Sequence, residues 1–199
     1  MTLTLRPHQT KAVKAMLRNT KGQIIIPTGG GKTMCMIDDA MNEFSRTVLP
    51  KTIVVVAPRI LLANQLSAEF LYQNLDGAAE SNATVNVMHV HSGETHHFST
   101  TKIDEIRQFN YDTACDQKHL LIFTTYHSLH KIVDSHIVVD TIYFDEAHNS
   151  VQKNFFPATE HFSHFAERCY YFTATPKHSR TPAKAGMNWP EYGQVICQV

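Results

Sequence analysis

The feature that most constrains how this 199-residue chain can fold is the alternation of short apolar runs with amphipathic stretches. Most of the runs are rich in β-branched residues and apolar throughout, as is typical of parallel strands that are covered on both faces. These predicted strands are residues 23–27, 52–58, 85–90, 120–125, 137–146, 169–176 and 194–199. The helices predicted between them are residues 7–18, 32–46, 60–75, 126–135 and 149–167, with a short helix near 102–110. The alternation therefore predicts βαβ units and an α/β fold, with a mostly parallel, doubly wound sheet and helices on both faces.

Composition narrows the class of protein further. Hydrophobic residues make up 43% of the chain, and its length suits one domain, which we place over residues 1–199. No apolar run reaches the roughly 20 residues of a membrane span, and the amino terminus lacks the apolar stretch of a secretory signal. The cysteines stand far apart, as is typical of reduced thiols inside cells. We therefore expect an intracellular, soluble protein without a membrane partner.

The overall charge limits how the protein could contact nucleic acid. Lysine plus arginine and aspartate plus glutamate each number 18, so the formal net charge is zero. A protein of this charge has no global basic field that would attract a polyanion. Any contact with nucleic acid must therefore come from a local patch or from backbone amides.

The segment GQIIIPTGGGKTM, residues 22–34, has the form of a phosphate-binding loop between a strand and a helix. The glycines at 29–31 would let backbone N–H groups wrap around phosphates at the positive end of the following helix. Lys32 would reach the phosphate oxygens and Thr33 would hold Mg²⁺. Ile26 occupies the place of the first glycine of the pattern, but a side chain at the end of a strand can point into the core. We therefore predict a nucleotide site.

A pair of acidic residues supports this prediction. In IYFDEAHN, residues 142–149, Asp145 and Glu146 directly follow an apolar run. Ligands of open α/β sheets bind at the carboxyl ends of the strands, and an acidic pair there needs a cation or a reacting group to offset its desolvation. Asp145 would orient Mg²⁺, and Glu146 would polarise the water that attacks the phosphate.

Several motifs, taken together, resemble those of the first RecA-like domain of superfamily 2 helicases and translocases, a P-loop NTPase fold. They are PTGGGKT at 27–33, VVVAPRILLANQ at 54–65, FTTYHSL at 123–129, DEAH at 145–148 and TATP at 173–176. LRPHQ at 5–9 is similar to the adenine-recognising region of the branch that contains type III restriction subunits, DNA-repair helicases and phage recombination helicases. The resemblance covers essentially the whole chain.

The resemblance implies a role for each matching residue. The implied nucleotide-binding residues are Arg6 and Gln9, which would read the adenine, and Thr28, Gly29, Gly30, Gly31, Lys32 and Thr33. The implied catalytic residues are Lys32, Asp145, Glu146 and His148, with Mg²⁺ held by Thr33 and Asp145. The residues implied to couple this site to a nucleic-acid groove are His148, Thr173 and Thr175. The residues implied to line that groove are Pro58, Arg59, Gln65, Ser92, Gly93, Thr124, Thr125 and Tyr126. Such contacts reach phosphates rather than base edges, so binding is expected to be largely independent of sequence.

Taken by themselves, some of these residues have simpler interpretations. Arg59 could be a solvated charge at the start of a helix, His148 a plain helix-start histidine, and residues 124–126 ordinary strand-end residues. The histidines of HVHSGETHH, residues 89–97, could in principle ligate Zn²⁺. No cysteine stands within a few residues of them, and the cluster runs from a strand into a loop. We therefore do not expect a zinc site there.

The function implied is that of the ATP-binding motor domain of a nucleic-acid helicase or translocase, an ATP hydrolase that uses Mg²⁺. Family members carry a second RecA-like domain with an arginine finger beyond the point where this chain ends. We therefore expect a truncated chain that binds ATP·Mg²⁺, hydrolyses it slowly alone and does not unwind. The expected partners are nucleic acid, with DNA favoured over RNA, and the second domain, in cis or in trans. Two alternatives stay open: a non-translocating, ATP-dependent scaffold on nucleic acid, and the motor part of a restriction-type nuclease complex.

Overall fold

The computed structural model describes residues 4–75 and 84–199, and within them an eight-stranded sheet. The strands are β1 (Lys21–Ile25), β2 (Thr52–Ala57), β3 (Val85–Val90), β4 (Phe98–Ser99), β5 (His119–Thr125), β6 (Thr141–Phe144), β7 (Arg168–Thr173) and β8 (Val195–Gln198). They pair in parallel in the order β4-β3-β5-β2-β6-β7-β1-β8. The helices are α1 (Pro7–Arg18), α2 (Lys32–Ser45), α3 (Ile60–Leu75), α4 (Ile103–Cys115), α5 (Leu129–Ser135) and α6 (Phe156–Phe165). The predicted α/β class, with a parallel, doubly wound sheet, is confirmed.

Helices cover both faces of the sheet, which explains why the strands are apolar throughout. Every residue of β2 is buried, and successive side chains point to opposite faces. Val55 accordingly belongs to the core layer that contains residues of α1, α2 and α3. Val54 and Val56 belong to the other layer, which contains residues of α4, α5 and α6. In the described part of the chain, no helix is long and apolar enough to cross a membrane.

Three predicted helices differ in their bounds from those observed. The helix predicted at 126–135 begins at Leu129, because residues 126–128 form a turn after β5, in which the N–H of Tyr126 donates to the carbonyl oxygen of Ala57 at 3.2 Å. The helix predicted at 149–167 is shorter. A 3-10 turn, Ala147–Asn149, precedes α6, which begins beside Pro157, where a missing N–H costs no helical hydrogen bond.

The strand predicted at 137–146 is also shorter, since β6 begins only at Thr141. Asp140 ends the preceding segment by pairing with the backbone of Thr52, whose N–H donates to the Asp140 carboxylate at 2.8 Å. In return, the N–H of Asp140 donates to the carbonyl oxygen of Thr52 at 2.9 Å. The helix predicted near 102–110 is longer than expected and continues to Cys115.

A buried ion-pair network joins α2 to the amino ends of β6 and β7. Arg168 donates to Asp39 through both terminal nitrogens, at 2.6 and 2.9 Å, and lies 3.2 Å from the Glu43 carboxylate. Tyr143 donates its hydroxyl to the same Asp39 carboxylate. The network thus fixes the phosphate-loop helix against the sheet at the edge opposite the carboxyl ends of the strands.

Candidate functional site

The strand order brings the predicted motifs together at one edge. Because all strands are parallel, every carboxyl end lies at the same edge of the sheet, where α/β proteins bind ligands. β1, β7 and β6 are neighbours, so the phosphate loop, the TATP segment and the acidic pair that follow them lie side by side. β2, β5 and β3 are neighbours on the other side of β6, and the segments after them carry the predicted groove residues.

The phosphate loop shows why isoleucine is accommodated at its first glycine position. Ile26 is completely buried in the core, and its N–H donates to the carbonyl oxygen of Thr173 at 3.1 Å. Its Cγ2 atom lies so close to Gly30 that a Cβ on that glycine would meet it at 2.3 Å. Gly29 and Gly31 both adopt φ of +80°, a conformation that side chains disfavour. The side chain of Ile26 therefore points away from the place where an anion would bind.

The amino terminus of α2 fits a phosphate group. Among the described residues no side chain caps this helix, so the first N–H groups are available to an anion at the positive end of the helix dipole. Gly29 is exposed, and a Cβ built on it would meet nothing within 4 Å. Thr28 is exposed in the same loop, and Thr33 lies in the first turn of the helix.

The ammonium group of Lys32 is paired with the predicted catalytic acid. Its Nζ lies 3.0 Å from Oε1 of Glu146, and the lysine side chain is only 10% exposed. Glu146 adopts φ of +47°, a left-handed conformation that is uncommon for a residue with a side chain and that clusters at functional sites. The structure thus brings together two residues that stand far apart in the sequence.

Asp145 is the most buried acid at this edge. Burial, and after it the neighbouring charge of Glu146, raise the pKa of its carboxyl group to about 6, while Lys32 acts in the opposite direction. The backbone carbonyl of Asp145 accepts a hydrogen bond from the Tyr126 hydroxyl at 2.7 Å. A carboxylate that is costly to keep charged gains from a bound cation, which is what the predicted role in holding Mg²⁺ requires.

The predicted coupling residues form a chain of hydrogen bonds. Nδ1 of His148 lies 2.9 Å from Oγ1 of Thr173, and the N–H of Thr175 donates to the same oxygen at 3.1 Å. His148 also lies 3.6 Å from the Glu146 carboxylate. Burial lowers the pKa of His148, while Glu146 raises it. His148 therefore links Glu146 of the acidic pair to Thr173 of the TATP segment.

Gln9 lies beside the phosphate loop, but its side chain is committed to the protein. It is 4% exposed, accepts the N–H of Arg6 at 2.7 Å and donates to the carbonyl oxygen of Gly31 at 3.2 Å. The preceding His8 was missed at the sequence level, although its Nε2 lies 2.7 Å from the carbonyl oxygen of Gly30. In this conformation the segment 6–9 positions the phosphate loop. Of the two residues predicted to read adenine, Arg6 is exposed and Gln9 is buried.

Several predicted groove residues lie at the surface on the β2 and β3 side. Arg59, Gln65 and Ser92 are exposed, and Pro58 is half-buried. Gly93 lies against the first residue of α3, because a Cβ on it would meet Cγ2 of Ile60 at 2.4 Å. The turn at 92–93 is therefore next to the start of α3, where Pro58 and Arg59 lie.

Thr124, Thr125 and Tyr126, which are also predicted to line the groove, have buried side chains in this conformation. Thr124 instead donates to the carbonyl oxygen of Val90 at 2.7 Å and so fixes the end of β3. Tyr126, which is 2% exposed, fixes Asp145. The hydroxyl groups of Thr124 and Tyr126 therefore bond to the protein itself, although Tyr126 also lines the cleft at this edge.

A cleft connects the nucleotide side to the groove side. Glu146 and His148 line one end of it, and Arg59 lines the other. His127 and Gln152 also line the cleft and were not predicted. His127 could have been predicted from the sequence, because it directly follows Tyr126 in the FTTYHSL motif.

The histidine cluster has a different organisation from a metal site. Within the described residues no group of three or more histidine, cysteine or acidic side chains could hold a metal ion. His89 and His91 are buried and hydrogen-bonded to each other at 3.1 Å, and the His97 ring stacks on that of His89.

Comparison with protein families shows which family this site belongs to. The family described as type III restriction enzyme, res subunit, matches residues 2–178. The chain belongs to this family. The res-subunit match spans the phosphate loop, the acidic pair and the TATP segment, and thus every residue predicted for the nucleotide site. No curated protein sequence matches the chain significantly.

Solved structures share the fold of this res-subunit domain. A nuclease-deletion mutant of the type ISP restriction-modification enzyme LlaGI, in complex with a DNA substrate mimic, is 23% identical with a TM-score of 0.79, and the match covers 99% of this chain and 20% of LlaGI. LlaBIII, an ATP-dependent type ISP enzyme bound to DNA, is 21% identical with a TM-score of 0.78, covering 100% of this chain and 15% of LlaBIII. The UvsW helicase from bacteriophage T4 is 15% identical with a TM-score of 0.60, covering 97% of this chain and 60% of UvsW.

At these identities the likeness establishes the fold, and the chain spans only a small part of the two restriction-modification enzymes. The res-subunit match together with this fold confirms the predicted RecA-like domain of superfamily 2. The chain is therefore a helicase-type motor domain.

Proposed function

We propose that this res-subunit domain binds ATP·Mg²⁺, hydrolyses ATP slowly by itself and holds the phosphate backbone of nucleic acid at the neighbouring strand ends. The observation that supports this most is the ion pair of Lys32 and Glu146, at 3.0 Å, beside a helix N-terminus without a side-chain cap among the described residues. A phosphate-binding cation and a candidate general base meet there at the edge where α/β sheets bind ligands.

The residues divide the chemistry of phosphoryl transfer between them. The free N–H groups at the start of α2 and the Lys32 ammonium would bind the phosphates of ATP. Thr33 and Asp145 would hold Mg²⁺, which supplies positive charge to the phosphate oxygens when bound. Glu146 would orient the attacking water and accept its proton, once phosphate has drawn Lys32 away from its carboxylate.

Nucleic acid would bind on the β2 and β3 side of the same edge. Arg59, Gln65 and Ser92 are exposed there, and the hydroxyl group of Ser92 in the 92–93 turn adds a donor that suits phosphate. His127 and Gln152 would extend this surface along the cleft. Contacts of these kinds are largely independent of sequence. We favour DNA over RNA because the two restriction-modification enzymes with the same fold were solved with DNA or a DNA mimic.

Slow hydrolysis is expected because the family resemblance implies that the arginine finger comes from a second RecA-like domain. Supplying such an arginine raises turnover by roughly 10³- to 10⁵-fold in related phosphoryl-transfer enzymes. A second RecA-like domain, in cis or in trans, would supply it and complete the nucleic-acid groove. Unwinding by the 199-residue chain alone would contradict this part of the proposal.

A second candidate is the motor part of a restriction-type nuclease complex. The res-subunit match and the two type ISP structures favour it. It uses the same ATP site and the same groove, and it differs in the domains that accompany the motor. The non-translocating scaffold is less favoured, because Lys32, Asp145 and Glu146 are all present and close together.

The test is to measure ATP turnover and ATP·Mg²⁺ binding by the chain, with and without single-stranded and double-stranded DNA and RNA. We expect binding, very slow turnover, and loss of both in Lys32→Ala. The exposed Lys153, replaced by alanine, is the matched control and should change neither. Absence of nucleotide binding in the wild type would refute the proposed ATP site. Nucleotide binding with no turnover under any of these conditions would favour the scaffold, and fast turnover stimulated by nucleic acid would contradict the need for a second domain.

A further inference from the structure

The buried histidines of β3 form a directional hydrogen-bond chain. The N–H of Gly93 donates to Nδ1 of His91 at 3.1 Å, so Nδ1 is an acceptor and the proton of the neutral ring is on Nε2. That Nε2–H then donates to Nδ1 of His89, also at 3.1 Å. His89 must therefore carry its own proton on Nε2, which lies 3.2 Å from Oγ of Ser67 on α3.

This chain holds the turn that we place in the nucleic-acid groove. Ser99 Oγ lies 3.3 Å from the carbonyl oxygen of His91 and 3.2 Å from that of Gly93, so β4 fixes the turn from the other side. Gly93 packs against Ile60 at the start of α3, beside Arg59. The position of the turn is thus set by the acceptor on His91, by Ser99 and by the surface of α3.

The surroundings of the two rings favour their neutral forms. His91 is 2% exposed and His89 is fully buried. The groups that face them are Ser67 from α3, Phe123 from β5, and His97 from the segment before β4. Burial lowers the pKa of all three histidines, to about 4 for His89, where the charges of His91 and His97 act in the same direction.

Two further titratable groups belong to the same turn. Glu94 and His96 are exposed, and His96 contributes to the lowered pKa of His97. The backbone carbonyl of Glu94 accepts a hydrogen bond from Asn64 of α3 at 3.4 Å. Among the described residues, no carboxylate is hydrogen-bonded to His89 or His91, so a proton added to either ring is not offset by a bonded anion.

We propose that His91 is the positioning residue of the 92–93 turn, and that the turn holds a nucleic-acid phosphate only while the His91 ring is neutral. Protonation at Nδ1 replaces the acceptor for the Gly93 N–H by a second donor. The two N–H groups then repel each other, and the turn must leave its place beside Arg59. This inference rests on the proposed nucleic-acid groove and adds that protonation of His91 regulates binding there.

The direction of the effect is diagnostic. Protonated histidines ordinarily strengthen binding to a polyanion, so acid should tighten the complex if exposed His96 or His127 dominated. The His91 chain predicts the opposite, a loss of affinity as the pH falls. One coupled proton changes affinity by up to about tenfold per pH unit below the point at which it binds.

The experiment measures the affinity of the 199-residue chain for a fluorescent single-stranded DNA oligonucleotide between about pH 8 and pH 5 at constant ionic strength. We expect the affinity of the wild type to fall as the pH is lowered, with most of the loss at the acid end of this range, because burial lowers the pKa of His91. His91→Asn offers the Gly93 N–H an oxygen acceptor that does not titrate, so it should bind at neutral pH with little loss in acid. His164→Asn, at an exposed histidine of α6 outside the proposed groove, is the matched control and should keep the wild-type pH profile.

Each outcome decides a different point. No binding by the wild type at any pH would refute the proposed nucleic-acid function itself. Binding that is independent of pH, binding that tightens in acid, or a His91→Asn variant with the wild-type profile would refute the positioning role while leaving the groove in place.

A second measurement needs no variant. Nitrogen-15 NMR of the wild-type imidazoles at neutral pH should show both His89 and His91 protonated on Nε2 and bare on Nδ1. A His91 ring protonated on Nδ1 would overturn the proposal even if His91→Asn failed to fold.

Discussion

The Lys32 ammonium and the Glu146 carboxylate lie 3.0 Å apart, so the proposed phosphate-binding cation and the proposed general base neutralise each other in the absence of nucleotide. His148 lies 3.6 Å from the same carboxylate, and the backbone of Glu146 adopts a left-handed conformation. ATP must therefore compete with Glu146 for Lys32 before hydrolysis can begin.

Glu146→Gln should separate binding from hydrolysis. The neutral side chain releases Lys32 and cannot accept a proton from water, so ATP affinity should stay the same or rise while turnover is lost. Thermal shift and isothermal titration report the affinity, and a single-turnover assay reports hydrolysis. A variant that hydrolyses ATP at the wild-type rate would show that Glu146 is not the general base.

Tyr126→Phe should lower the free energy of unfolding by about 1–2 kcal/mol, because it leaves the buried carbonyl of Asp145 without its donor at 2.7 Å. Chemical denaturation of the chain measures this change. Tyr72→Phe, at a tyrosine that is exposed on α3, is the matched control and should be close to neutral. Equal stability of the two variants would mean that the Tyr126 hydroxyl does not hold Asp145 in place.

Arg168→Met should be strongly destabilising, by about 3–5 kcal/mol, because it leaves the charge of the buried Asp39 uncompensated. Arg107→Met is the control, since Arg107 pairs with Asp104 at 3.9 Å on the surface and such pairs contribute little. Urea denaturation compares the two. Because Arg168 and Asp39 share one network, adding Asp39→Leu to Arg168→Met should cost less than Asp39→Leu does alone.

The free energy of unfolding should depend on pH through the buried histidine His89. The pKa of His89 is about 4 in the folded chain against about 6.5 when unfolded, so between these values the unfolded state binds the extra proton. Its contribution to the free energy of unfolding is therefore complete above pH 6.5 and is lost as the pH falls, by up to about 1.4 kcal/mol per pH unit.

The contribution of Asp145 to the free energy of unfolding changes with pH in the opposite direction. Its raised pKa of about 6 means that the folded state keeps a proton that the unfolded state has released, so its contribution falls as the pH rises toward 6. Below neutral pH, the slope of the wild-type free energy of unfolding against pH is thus the sum of the contributions of His89 and Asp145. Denaturation at a series of pH values should show a shallower loss in acid for His89→Gln than for the wild type, and identical slopes would contradict the assignment.

Much of the fold and of the nucleotide site could be predicted from local patterns. β-branched apolar runs are buried on both faces wherever they lie in the sheet, so β1, β2, β3 and β5 appear close to where the sequence predicts them. A phosphate loop is equally local, because its strand, its glycines and its helix start are consecutive. The carboxyl-edge rule then places Asp145 and Glu146 at the same edge as the loop in any parallel sheet, while their distance from it depends on the strand order.

What local patterns could not decide is which polar groups pair across the fold. Thr124 and Tyr126 look like surface residues at a strand end, but they are buried, and the carbonyl oxygens of Val90 and Asp145 accept their hydroxyl protons. Gln9 looks free to read adenine, yet Gly31 lies within reach of its amide.

By itself, then, the sequence determined the strands, the phosphate loop and the edge at which the chemistry lies, because each depends on neighbouring residues. Only the tertiary structure decided that Arg168 pairs with Asp39, that Lys32 pairs with Glu146, and that two histidines of β3 hold the 92–93 turn. These contacts join residues from different elements, and a buried polar group takes whichever partner the packing of those elements brings within hydrogen-bond distance.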